Sequence, residues 1–342
     1  MRLVTRPDFD GLVCGSLITA METINAYLFV EPKFMQDGLV EIRAGDIIAN
    51  LPYHPNCTLW FDHHFTNAPA WASHTGVSSS ESGLSTEDSR NLKPETQNPT
   101  VVPGKGAFRL APSAARVVFE YYTEAQPRGP NSRSTGEQEG LELITSDRFR
   151  YLLEETDRVD AGQLTPEDAR NPQGYVLVSM TIDGKKPRDE SYWRHLIALL
   201  RDLPLEHVLS DPIVAQRCQE VVDAQERLKA ILLKRTTLKG NVIFVDLRGI
   251  NDVPDGNRFL LYTLFPTGNI SMKIADDPQR SDTVAVSVGY NIFNPTSQVN
   301  VGALLAQHGG GGHRVVGSCR VPARAAEQAI EQILAAIQES QR

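Results

Sequence analysis

The chain has no apolar run approaching the roughly 20 residues that a membrane-spanning helix needs, and Met1 leads directly into a strand-like stretch without a charged-then-apolar signal segment. A cytoplasmic protein with no membrane partner is therefore expected. Cysteine is scarce: the 4 present, Cys14, Cys57, Cys218 and Cys319, show no paired spacing, so neither a disulfide frame nor a cysteine zinc site organises the fold. Positive charge is not in excess. With 34 Lys and Arg against 42 Asp and Glu the formal net charge is −8, which argues against a long polynucleotide track, where a basic face must displace counterions. Short phosphate substrates stay open, because bound cations would reverse the sign of an acidic site. Gly-x-Ser-x-Gly is absent, which disfavours a covalent serine mechanism, and Gly104-Lys105-Gly106 lacks Walker spacing and reads as a turn.

What is present suits two ordinary domains. The 342 residues are 41% hydrophobic and 22% charged, normal for a globular protein. Residues 1–195 alternate short apolar runs with helical patterns, the signature of an α/β domain with a mainly parallel sheet and helices on both faces. Residues 196–238 read as a helical connector, and 239–342 as a smaller C-terminal α/β domain. Two polar stretches, 73–106 and 127–138, read as surface insertions with little to bury. A helix is expected over 112–122, capped near Ser113, and a long one over 211–234. Strands are expected at 241–246, 259–264, 270–274 and 284–288, and a closing amphipathic helix over 325–337.

The chemistry concentrates where apolar runs end. Leu59-Trp60-Phe61 runs into Asp62-His63-His64, a buried strand delivering a carboxylate and two imidazoles. Leu3-Val4-Thr5 precedes Asp8 and Asp10, which would reach a common centre as alternate residues of an extended segment. In open α/β sheets ligands bind beyond the carboxyl ends of the strands. Oxygen ligands attract hard divalent cations and imidazole adds affinity for a transition metal, a mixture suited to Mn²⁺ more than Ca²⁺. Further along stand Asp46 in Ala44-Gly45-Asp46 and the pair Asp157 and Asp160. A run of four glycines, Gly309 to Gly312, precedes His313 and Arg314. Such a run gives no side-chain packing and suggests close approach of a backbone to something else.

With these motifs in this order the chain resembles the DHH phosphoesterase family, in the branch of short-RNA exonucleases, adenosine bisphosphate phosphatases and exopolyphosphatase-like proteins. The resemblance implies a metal-dependent phosphodiesterase or phosphatase acting on short oligonucleotides or small nucleotides. It implies two Mn²⁺ ions, with Mg²⁺ or Co²⁺ as alternatives, activating a water. The implied ligands are Asp8, Asp10, Asp46, Asp62, His63 and Asp157, with Asp160 the alternative to Asp157. Asp62 and His64 would be catalytic, His64 facing the substrate phosphate. The C-terminal domain would bind substrate through Gly310, Gly311, Gly312, His313 and Arg314, main-chain N–H groups cradling an anionic group, with the reaction in the cleft between the domains. Phe259, Tyr262 and Phe293 are either base-stacking or core residues, and the sequence leaves room for a homodimer.

One departure stands out. Many members carry histidine where this chain has Val4, so one ion would lose a protein ligand unless water or another side chain fills the place. Polyphosphate or pyrophosphate hydrolysis is the alternative activity. A nucleotide-binding regulatory protein with a weakened metal centre is the alternative outside enzymes.

Overall fold

The structure is a computed structural model, described over residues 1–75, 100–102, 105–124, 134–184, 189–277 and 280–340. It is α/β and divides into two compact units, one formed by Met1–Gln163 and Gln173–Cys218, the other by Leu164–Pro172 and Gln219–Arg342.

The first unit is built on strands β1 (Arg2–Thr5), β2 (Ala26–Phe29), β3 (Asp46–Ala49), β4 (Leu59–Asp62), β5 (Thr100–Val102) and β6 (Gly106–Phe108), ordered β2-β1-β3-β4-β6-β5. All neighbours pair in parallel except β5, which runs antiparallel on the β6 edge. Every residue of β3 and β4 is buried, because helices cover both faces of a parallel sheet and leave no polar side to alternate with. One face packs Leu3, Ile47, Leu59 and Phe61 against helix α1 (Phe9–Met21) and the helices Ala114–Thr123 and Glu190–Asp202. The opposite face packs Val4, Ile48 and Trp60 with Trp71 of the helix Ala68–Thr75.

Helix α1 is buried continuously from Phe9 to Ile18, so it shows no polar stripe. The helix Ala114–Thr123 begins where expected, with Ser113 accepting from the Arg116 N–H as its cap, and it buries Val118, Tyr121 and Tyr122. Of the two expected insertions, residues 76–99 and 103–104 of the first and 127–133 of the second lie outside the described residues. Around them regular structure reaches further than polar composition suggests: β5 and the start of β6 fall within 73–106, and a Ser134–Glu137 capping box opens the helix Thr135–Thr145.

The helix Pro212–Arg235 passes from one unit into the other, Val214 and Cys218 lying in the first core and Leu232 in a core of the second. The second unit holds β7 (Thr236–Lys239), β8 (Val242–Asp246), β9 (Ile270–Asp277), β10 (Arg280–Tyr290), β11 (Gly311–Gly312) and β12 (Val316–Pro322), ordered β11-β12-β10-β9-β8-β7. The sheet is mixed: β8 and β9 are parallel and the other pairs antiparallel. The helix Ala326–Glu339 closes one face through Ile330, Ile333 and Ile337. Residues 259–264, expected as a strand, form the short helix Leu260–Leu264. A six-residue apolar run has no period long enough to separate the two states, and here Asn257 accepts the Phe259 N–H to start the turn.

The β4–β6 contact depends on a glycine. Gly106 has φ +115°, and a Cβ there would stand 1.9 Å from the Trp60 carbonyl oxygen. Gly106→Ala should therefore lower the thermal midpoint by several degrees or more. Gly136→Ala, whose Cβ would meet nothing within 4 Å, should leave it unchanged or raise it. Paired thermal melts of the two variants check this.

Candidate functional site

The carboxyl ends of β1, β3 and β4 bring one group of side chains together. Asp8 and Asp10 reach it differently from the expected strand alternation, because β1 ends at Thr5 and the chain has already turned into helix α1. Asp8 is the N-cap, its Oδ1 accepting from the Gly11 N–H at 2.9 Å. Asp10 sits in the first turn, 2% exposed. Its oxygens accept the main-chain N–H groups of Ala114 and Ala115 at 2.9 and 2.8 Å. A second helix start thus grips the carboxylate of the first. Burial still pushes the Asp10 carboxyl well above the usual carboxylate range, with the charges of Asp160 and Asp8 adding and the two N–H groups opposing.

Asp62 ends β4 fully buried, Oδ1 accepting from His64 Nδ1 at 2.8 Å and Oδ2 from the Asn67 amide at 2.6 Å. That bond is the largest cause of the raised pKa of His64, which stays partly exposed. His63 is tied the other way. Its Nδ1 lies 2.8 Å from the Ala111 carbonyl oxygen, and since a carbonyl only accepts, Nδ1 carries the hydrogen. In the neutral ring Nε2 is then the lone-pair nitrogen. It is buried without a hydrogen-bond partner, 3.4 Å from Asp160 Oδ2 and 3.8 Å from Asp10 Oδ2. A lone pair facing two carboxylate oxygens is unfavourable until a proton or a metal cation lies between them, and a backbone carbonyl fixing the far nitrogen is the usual support of a metal-binding imidazole. Ligand atoms of Asp10, His63 and Asp160 lie within 4.8 Å of one another, as do those of Asp62, His63 and His64. The donor set fits a divalent ion.

Two of the expected ligands are elsewhere. Asp46 opens β3 at the opposite end of the sheet, in register with Arg2. Arg2 donates to both its oxygens at 2.9 and 2.6 Å and the Arg43 N–H adds a third bond at 2.8 Å. Four residues of strand, roughly 13 Å, separate it from the carboxyl end. The residue at that end is Asn50, whose amide donates to Asp8 Oδ1 at 3.0 Å. Asp157 is also occupied, taking the Ser113 hydroxyl at 2.6 Å and the Arg116 guanidinium at 2.9 and 2.5 Å. Asp160, one turn later, is the carboxylate beside His63. Its own pKa is raised, first by burial and then by Asp8, while His63, His64 and Arg6 oppose. Arg6 was not anticipated: its guanidinium lies 3.1 Å from Asp8 Oδ2. Val4 faces the aromatic core with Ile48 and Trp60 and offers no donor.

In the second unit the glycine run is a tight hairpin. Gly311 and Gly312 pair with Ser318 and Gly317. A Cβ on Gly310 would lie 2.3 Å from the Ser318 carbonyl oxygen, and Gly312 has φ +147°. The expected main-chain cradle is not available at two of its positions, since the Gly310 N–H donates to the Leu305 carbonyl and the His313 N–H to that of Val316. The glycines serve close backbone packing, and the His313 side chain that follows them is exposed.

No family model matches this chain, and no curated protein does. Among solved structures, a pGpG-specific phosphodiesterase, PggH, from Vibrio cholerae aligns over 99% of this chain and 99% of its own, with 28% identity and a TM-score of 0.75. This likeness supports the resemblance to the DHH phosphoesterase family. An exonuclease RecJ bound to manganese covers 98% of this chain and 89% of its own at 11% identity and a TM-score of 0.50, a likeness of fold alone. The likeness to PggH supports a phosphoester hydrolase in broad class. Among the described residues no helix is long and apolar enough to cross a membrane.

The two acidic residues of the helix Asp147–Asp160 should separate in thermal melts run with chelator. Asp157→Asn loses a charge-assisted pair and should cost about 1–3 kcal/mol. Asp160→Asn should stabilise. Because the folded-state pKa of Asp160 is raised, its favourable contribution is present at low pH and lost as pH rises through that pKa. The gain in the Asn variant should therefore appear at neutral pH and vanish near pH 4. A fall in midpoint for Asp160→Asn at neutral pH would contradict this electrostatic picture.

Proposed function

We propose that this protein is a divalent-metal-dependent phosphodiesterase of short linear nucleotides, with the linear dinucleotide pGpG first among substrates. The observation that carries the metal reading is the buried, unpartnered Nε2 of His63 between Asp10 and Asp160. Support for the substrate class is the full-length likeness to a pGpG-specific phosphodiesterase. Asp8, Asp10, Asp62, His63 and Asp160 are the proposed ligands, Asp160 taking the role that the sequence offered to Asp157. Asp46 has no part. Mn²⁺ is the favoured ion, with Mg²⁺ or Co²⁺ as alternatives, and when bound it supplies an activated water and charge for phosphoryl oxygens.

The protein's own groups have separate tasks. Asp62 spans the site with both oxygens fixed, one by His64 and one by Asn67. Because its Nδ1 is held by Asp62, His64 presents Nε2 in a fixed direction, and in its protonated form that atom donates to a substrate phosphate oxygen or to the leaving oxygen. Ala114 and Ala115 keep Asp10 oriented. His313 and Arg314 are proposed to bind substrate through their side chains.

Chelator should abolish hydrolysis of pGpG and Mn²⁺ should restore it, with longer oligonucleotides, cyclic dinucleotides, adenosine bisphosphate and polyphosphate turned over more slowly. Asp62→Asn should keep the fold and lower kcat/KM by about a thousandfold or more. His313→Ala should leave metal content intact and raise KM or lower kcat/KM. Preference for polyphosphate across the same panel would favour the exopolyphosphatase alternative. Metal binding without turnover of any of these would favour the regulatory one.

A further inference from the structure

Asn50 has a conformation and a pairing that a turn residue does not need. It follows β3 at the carboxyl end of the sheet, with its N–H donated to the Phe61 carbonyl so that it lies beside Asp62. Its side chain is 1% exposed. Among the described residues it is the only non-glycine with positive φ, at 57°, a left-handed conformation that Asn tolerates better than most side chains.

The amide is oriented by chemistry. Asp8 Oδ1 already accepts from Gly11 and can take only a further donor, so the nitrogen of Asn50 must face Asp8. The oxygen is turned away from Asp8 and is buried with no hydrogen-bond partner. An amide oxygen in that position lacks a donor or a cation, and hard divalent cations take carbonyl oxygens readily. The other oxygen of Asp8 meets Arg6 at 3.1 Å, which removes part of the charge Asp8 would otherwise offer an ion.

We propose that the Asn50 side-chain oxygen is a neutral ligand for a divalent ion of this site, and that this neutral donor, together with the pairing of Arg6 with Asp8, makes that ion weakly held and exchangeable. The proposal rests on the metal reading above. A carboxylate in the same place would hold the ion tightly, whereas an amide leaves the loaded site more positive and so better disposed to an anionic phosphate.

The test measures Mn²⁺ binding to the full chain by calorimetry and by electron paramagnetic resonance of free Mn²⁺, without reference to turnover. Asn50→Asp keeps size and tolerance of positive φ, and should tighten the weakest Mn²⁺ class by about tenfold or more. Asn50→Gly keeps the backbone conformation and removes the oxygen, and should loosen the same class by about tenfold. Thermal melts with chelator report whether each variant folds. If both folded variants bind Mn²⁺ like the natural chain, Asn50 is a turn residue only and the proposal fails while the metal reading stands. If the natural chain binds no Mn²⁺, the metal reading fails and takes this proposal with it.

Discussion

One buried carboxylate organises the first unit around the candidate site. Asp10 is nearly inaccessible, and taking an ionised carboxylate out of water costs several kcal/mol unless fixed dipoles replace the solvent. Here they come from a single turn: Ala114 and Ala115 donate both N–H groups from the start of their helix. The compensation is incomplete, as the raised pKa of Asp10 indicates. The site therefore holds electrostatic strain that a cation would relieve and that the apolar core around α1 has to overcome.

The same short segment does a second job. Residues 109–113 leave β6, and the Ala111 carbonyl within them fixes His63 by Nδ1. Ser113 then caps the helix and gives its hydroxyl to Asp157, which in turn holds Arg116. A displacement of that loop would disturb Asp10 and His63 together. Gly106 fixes where the loop begins, because only a residue without Cβ allows β6 to close on Trp60. Packing in the sheet and geometry at its edge are thus one constraint, and Asp157 belongs to the support of the site.

Much of this was legible wherever an apolar run stops. Leu59-Trp60-Phe61 announced both the strand and the residues it delivers, and the alternation of apolar and helical patterns gave the α/β class. The same rule applied to Ile47-Ile48-Ala49 points to Asn50. Asp46 drew attention because it is acidic, yet it begins the strand, and in a parallel sheet the two ends of a strand face different chemistry. Asp157 and Asp160 lie three residues apart on one helix face, so composition could not separate them. The decision lies with Arg116, a partner 41 residues away in sequence. The six-residue run at 259–264 is ambiguous for a related reason, since periodicity needs length and a single turn has none.

The glycine run shows how a strong local signal can carry the wrong inference. Four consecutive glycines invite a phosphate cradle because their N–H groups are accessible in an isolated loop. In the folded unit a hairpin forms, and the helix Val301–Ala306 packs on it so closely that a Cβ on Gly302 would stand 2.3 Å from the Gly312 carbonyl oxygen. The Gly310 and His313 N–H groups are spent on neighbouring carbonyls. Backbone that has been used to hold a hairpin against a helix is not free to hold a ligand. Recognition at this hairpin would rest on side chains, which a glycine run lacks, and so on His313 and Arg314 at its end.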